Sequence, residues 1–130
     1  MSRWRKEASE RIPELQALVA SRQVDNPMML WIELHLKFDD LCEQEQPPLD
    51  LIKRIWEYAK WCMTQGHDHA ATGAALGFCE HLLDREATRR ILPAIMTRRD
   101  YEELRGLLLY HNSEQQFARG LKLFEAARTR

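Results

Sequence analysis

Nowhere in these 130 residues do apolar and polar side chains alternate as a half-buried strand requires. Apolar residues recur instead every three or four positions, and the intervals are punctuated by helix-starting and helix-ending residues. That single feature restricts the chain to helix packing on helix. It predicts an all-α fold, a compact array of six or seven antiparallel helices, with lengths that suit solenoid-like stacked hairpins.

The punctuation places the elements. Pro13 opens or kinks a first helix running to about residue 22. Asn26 caps the second, Pro27 occupies its first turn, and the pair Pro47-Pro48 forbids its continuation. Leu30, Leu34, Phe38 and Leu41 form its buried stripe, with Glu33, Lys37, Asp40 and Gln44 opposite. A third helix spans residues 49–65 and ends at Gly66. The fourth, residues 68–83 capped by Asp68, carries Gly73 and Gly77 four apart. A glycine inside a helix costs roughly 0.5–1 kcal/mol relative to alanine, so close backbone packing is the expected compensation and this helix the central one. Asp84 reads as the N-cap of a short helix ended or kinked near Pro93. Thr97 with Asp100, and Ser113 with Gln116, read as capping boxes for the last two. Residues 1–130 form one helical domain, with residues 1–12 a charged, partly ordered lead in which Trp4 is the exposed tryptophan. Trp31, Trp56 and Trp61 belong to the core.

Composition narrows the function classes. A net charge of −1 gives no global field for nucleic acid or anionic lipid. No apolar run spans a bilayer, and the charged N-terminal stretch lacks a signal-peptide core, so the expected location is cytoplasmic. Three cysteines at irregular spacing do not form a disulfide framework. No phosphate loop, dinucleotide fingerprint, nucleophile elbow or zinc-protease motif is present, and no cofactor is expected.

The segment from Trp61 to His81 concentrates cysteine and histidine, which raises the question of zinc. Tetrahedral zinc needs ligands about 2.0–2.3 Å from one point. If Gly66 and Asp68 turn an antiparallel hairpin, Cys79 lies about 15 Å along the second arm at 1.5 Å per residue, so Cys62 and Cys79 cannot share an ion. Only Cys62, His67 and His69 remain as a set at the hairpin tip. The more economical reading makes Cys62 and Cys79 core residues and the tip histidines solvent-facing, with no metal.

Glu80-His81 differs, because it interrupts an apolar stretch. On the hairpin, His81 falls level with residues 52–55 as a buried histidine bonded to a carboxylate or tyrosine. The chemical alternative is an acid–base site in which Glu80 and His81 meet Glu33, Tyr58 or His111 in a cleft. From Glu33 to Asp50, acids outnumber bases: Glu33, Asp39, Asp40, Glu43, Glu45 and Asp50 face Lys37 alone. Asp39, Asp40, Glu43 and Glu45 thus make a candidate docking patch for a basic protein partner. Residues 85–105 are arginine-rich but interleaved with acids, which weakens any phosphate-binding reading.

At LWIELHLKF, YAKWC and FCEHLLD the chain resembles a family of small bacterial all-helical domains of unknown function, over residues 25–124. The resemblance implies a shared helical fold and marks Trp31, Glu33, Glu80 and His81 as signature positions; it implies no reaction. The expected function is a non-enzymatic protein–protein interaction module, an adaptor or immunity-type inhibitor. The rival is a small enzyme with a Glu/His site at Glu80 and His81.

Overall fold

The capping signals at Asn26, Thr97 and Ser113 have physical counterparts in the computed structural model, which describes residues 2–66 and 69–128. In chain order the helices are α1 (Arg3–Arg11), α2 (Gln16–Val19), α3 (Pro27–Cys42), α4 (Leu49–Met63), α5 (Ala70–Gly77), α6 (Glu86–Ile95), α7 (Arg98–Glu103), α8 (Arg105–Leu108) and α9 (Glu114–Arg128). Short 3-10 turns lie at Pro13–Leu15 and Cys79–His81, and the described residues contain no strand. Asn26 Oδ1 accepts from the Met29 amide at 2.9 Å and starts α3. The Thr97–Asp100 box is reciprocal, with bonds of 3.0 and 3.1 Å. Ser113 and Gln116 exchange the equivalent pair at α9.

α5 is the packing centre, in contact with both α3 and α4. Its small residues explain why. A Cβ added at Gly73 would lie 2.9 Å from the carbonyl carbon and oxygen of Pro27, and one at Gly77 would lie 3.0 Å from Trp31 Cβ. The glycines therefore let α5 approach the first turns of α3 to backbone distance. Behind this contact Trp31 stacks on Phe78 at 4.8 Å and on Tyr58 at 5.3 Å, with Phe38 edge-on to Phe78 at 4.8 Å. All four rings are essentially inaccessible to solvent.

Several expectations are corrected. Trp4 is buried, not exposed. It sits on α1, whose Trp4, Ala8 and Ile12 turn inward at helical spacing, and its carbonyl accepts from Tyr58 Oη at 2.7 Å. Arg5 and Arg54 tie the same segment down, donating to the carbonyls of Val19 and Arg11 at 2.7 and 3.0 Å. The fourth helix is not continuous to residue 83: α5 ends at Gly77, and Phe78 (φ −137°, ψ −65°) turns the chain into the 3-10 turn. Asp84 does not cap α6; Arg85 occupies that position without a side-chain bond. Pro93 lies in the last turn of α6, which ends at Ile95, close to the expected end. The helix expected after Thr97 breaks at Leu104 into α7 and α8. Asp68, expected as a cap, lies outside the described residues.

Candidate functional site

The turn at Phe78 delivers Glu80 and His81 to a place that helix counting does not reach. On α3, His35 and Asp39 stand one turn apart and face the Cys79–His81 turn. Asp84, Arg85 and Thr88 approach from the start of α6, and His111 from the turn between α8 and α9. Three imidazoles form a ladder there. The His35 and His81 rings are 5.3 Å apart, and His81 stacks on His111 at 4.8 Å.

A carboxylate stands at each rung. His81 Nδ1 is 2.9 Å from Asp84 Oδ2, His111 Nε2 is 2.9 Å from Glu80 Oε1, and His35 Nε2 is 3.2 Å from Asp39 Oδ2. The first two are hydrogen bonds. The third is a close contact in which the buried Nε2 is not aligned for a hydrogen bond. Asp39 is itself buried, accepts from Thr88 Oγ1 at 3.0 Å and lies 3.4 Å from Arg85 Nε. Arg85 also donates to Glu43 at 2.9 Å. Glu80 is buried, while His81 is half-buried and His111 has a side chain 45% exposed. The cluster thus opens to solvent at its His111 end.

Burial pushes the His35 pKa below its ordinary value of 6.5; His81 and Arg85 act in the same direction, against Asp39 and Asp84. Because the folded value is depressed, the unfolded chain takes up this proton first, so stability is lost as pH falls from 6.5 toward the folded value. Unfolding by urea between about pH 7.5 and 5.5 is expected to show a steeper loss for the wild type than for His35→Gln, by at most about 1.4 kcal/mol per pH unit. Parallel profiles would show that His35 is not held neutral.

The sequence-predicted residues are dispersed. Glu80, His81 and His111 meet; Glu33 is exposed on the far side of α3, and Tyr58 is buried beside Trp4. Of the signature positions, Trp31 belongs to the aromatic core and only Glu80 and His81 reach the ladder. His35, Asp39 and Asp84 are members that sequence reasoning missed. The signal for the first two was present: Trp31, His35, Phe38, Asp39 and Cys42 share one helical face. Of the acidic patch, Asp39 is lost to this interior network, whereas Asp40, Glu43 and Glu45 are exposed.

Of the hairpin-tip set, only Cys62 and His69 fall among the described residues. Cys62 is buried, His69 is exposed at the start of α5, and His67 lies outside the described residues. The expected wide separation of Cys62 and Cys79 is also corrected. Cys79 Sγ lies 3.8 Å from Met63 Sδ, and the Cys79 thiol pKa is raised by burial, then by Cys62 and Glu80. Such thiols are inert packing residues, not nucleophiles.

A second surface stands out on the solvent side of α3. Met29, Ile32 and Leu36 are exposed large apolar residues, and Ile32 and Leu36 are about half accessible. At 100° per residue they fall on one stripe with Glu33, Asp40 and Glu43. The outer face of this helix therefore carries the apolar residues Met29, Ile32 and Leu36 with Glu33 among them, and it turns acidic at Asp40 and Glu43, where the helix ends.

Fold and site together define an all-helical protein with a histidine–carboxylate ladder at one edge of α3 and an apolar-to-acidic stripe on its outer side. No family model, curated protein or solved structure matches the chain. Among the described residues, no helix is long and apolar enough to cross a membrane.

Proposed function

We propose that the protein is a non-enzymatic docking module that binds a basic, amphipathic protein segment along the outer face of α3. The observation that carries this reading is the exposed run of Met29, Ile32 and Leu36 on successive turns. Contiguous apolar surface of this kind is uncommon on a solvated helix and favours burial against a partner. Asp40, one turn further on, and Glu45, in the bend that follows the helix, supply charge that steers and orients a basic partner. Glu43 contributes less, because Arg85 already neutralises it. This sharpens the acidic-patch reading: the apolar residues supply affinity and the acidic ones orientation.

The test is capture from an extract of the source cells on immobilised protein, with Leu36→Asp and Asp40→Lys variants beside the wild type. Both substitutions are at exposed positions, so stability is expected to change by no more than about 0.5 kcal/mol. Leu36→Asp is expected to abolish retention of a specific partner, and Asp40→Lys to weaken it with reduced salt sensitivity. Equal retention by all three would remove α3 from consideration; no retained partner, with self-association in solution, would make the stripe a contact between copies.

A second reading, a small acid–base enzyme, draws support from the 2.9 Å contact between Glu80 and His111. It has lost Glu33, and a cleft of about 460 Å³ between α6 and α9 is lined by Arg90, Pro93, Ala94 and Leu123 instead.

A further inference from the structure

We propose that Glu80, His81 and His111 form a binding site for one divalent transition-metal ion of the zinc class, at the solvent-facing end of the histidine ladder. One ligand atom from each lies within 4.8 Å of the other two. Ligands around a tetrahedral ion with metal–nitrogen distances of about 2.0–2.1 Å stand roughly 3.3 Å apart. Closing the set from 4.8 Å to that spacing brings the ligand atoms together by roughly 1.5 Å, with His111, the most exposed of the three, turning toward the other two. Glu80 and His111 already stand 2.9 Å apart.

Three features distinguish this set from a chance meeting of polar groups. The ligands come from two segments distant in sequence, the Cys79–His81 turn and the turn after α8, so no local motif forces them together. His81 is oriented for the task. Its Nδ1 bonds to Asp84 Oδ2 at 2.9 Å, which leaves Nε2 with its lone pair free. A carboxylate behind a ligating imidazole is the arrangement that fixes tautomer and ring plane at metal sites. Finally, the His35 ring lies 5.3 Å from the His81 ring and restricts it, while the half-exposed His111 gives up its stack on His81 to turn its ring plane toward the ion.

The donor set selects the ion. Two imidazole nitrogens and one carboxylate oxygen suit Zn²⁺, Co²⁺ or Ni²⁺; Mg²⁺ and Ca²⁺ require shells composed of oxygen. Three protein ligands leave a tetrahedral ion with one open position for water or an added ligand. The nearby Arg85 guanidinium offers little repulsion, because Asp39 and Glu43 hold it. This inference is independent of the docking reading, since none of the three ligands lies on the outer stripe of α3.

The experiment is a titration of the tag-free, chelator-stripped chain with Zn²⁺ by calorimetry and with Co²⁺ by visible absorption. One ion per chain is expected, with the Co²⁺ spectrum of a low-symmetry tetrahedral nitrogen–oxygen site. His111→Ala and His81→Ala are expected to weaken binding about 100-fold or more, and Asp84→Asn about 10–100-fold. His111 is the most exposed ligand, so its variant keeps the fold; circular dichroism and the melting curve verify this. His69→Ala, which changes an exposed histidine elsewhere, is expected to bind as wild type does. Unchanged affinity in both ligand variants, loss of binding in His69→Ala, or equal affinity for Mg²⁺ and Zn²⁺ would each overturn the assignment.

Discussion

Phe78→Ala is expected to destabilise the protein by about 3–5 kcal/mol, a large part of the stability of a domain this size. The ring is fully buried and touches the core on three sides: it stacks on Trp31, receives the edge of Phe38 and meets the His35 ring at 6.3 Å. Truncation removes the transfer free energy and leaves a cavity walled by rigid aromatics, which cannot collapse into it. Phe78→Leu keeps much of the volume and is expected to cost less than about 1.5 kcal/mol. Because Phe78 also marks the break between α5 and the Cys79–His81 turn, the damage should extend to the histidine ladder. Urea unfolding of both variants provides the check. A cost below about 1 kcal/mol for the alanine variant would mean that the ring is not held as described.

Gly73→Val is the second large effect, expected to cost about 3 kcal/mol. The first added carbon meets the Pro27 carbonyl group at 2.9 Å, and the branched methyls add to the crowding. Pro27 cannot give way easily, since its ring fixes the backbone and the Asn26 cap anchors the same turn. Relief requires α5 to move away from α3, which also disturbs the Gly77–Trp31 contact. Gly106, on α8, provides the contrast: nothing lies within 4 Å of the position that a Cβ would take there. Gly106→Ala is therefore expected to stabilise the protein by about 0.5–1 kcal/mol through helix propensity alone. Opposite shifts of the two urea midpoints are the predicted outcome. A Gly73→Val chain as stable as wild type would show that the two helices do not pack this closely.

These effects mark how much of the molecule the sequence made legible. Capping chemistry is local, so Asn26, Thr97 with Asp100, and Ser113 with Gln116 could be placed by inspection and are found in place. The glycine pair also signalled close packing, because only contact compensates for its helix cost. Helix ends without a polar cap were harder. The break at Phe78 has no proline or glycine to enforce it after Gly77. It arises because Phe78 leaves the helical path to enter the aromatic core, a tertiary gain that outweighs one further helical turn. The same reasoning explains Trp4. Its neighbours are charged, and only the presence of α4 and Tyr58 makes burial favourable.

The candidate sites divide along the same line. Glu80 and His81 drew notice as polar residues in an apolar stretch, and the excess of acids along α3 was a matter of counting. Pairing, however, depended on where the chain turned. A continuous hairpin carries His81 toward α4; the turn after Gly77 brings it to His35, Asp84 and His111 instead. Asp39 counted as a surface acid until Thr88 and Arg85 enclosed it. By itself the sequence determined the helical class, most of the caps, the central place of the glycine helix and the absence of familiar catalytic motifs. These follow from interactions within a turn or two of the chain. Only the tertiary structure decided which histidines meet and which acids stay exposed, because burial and side-chain convergence depend on segments thirty or more residues apart that no local periodicity relates.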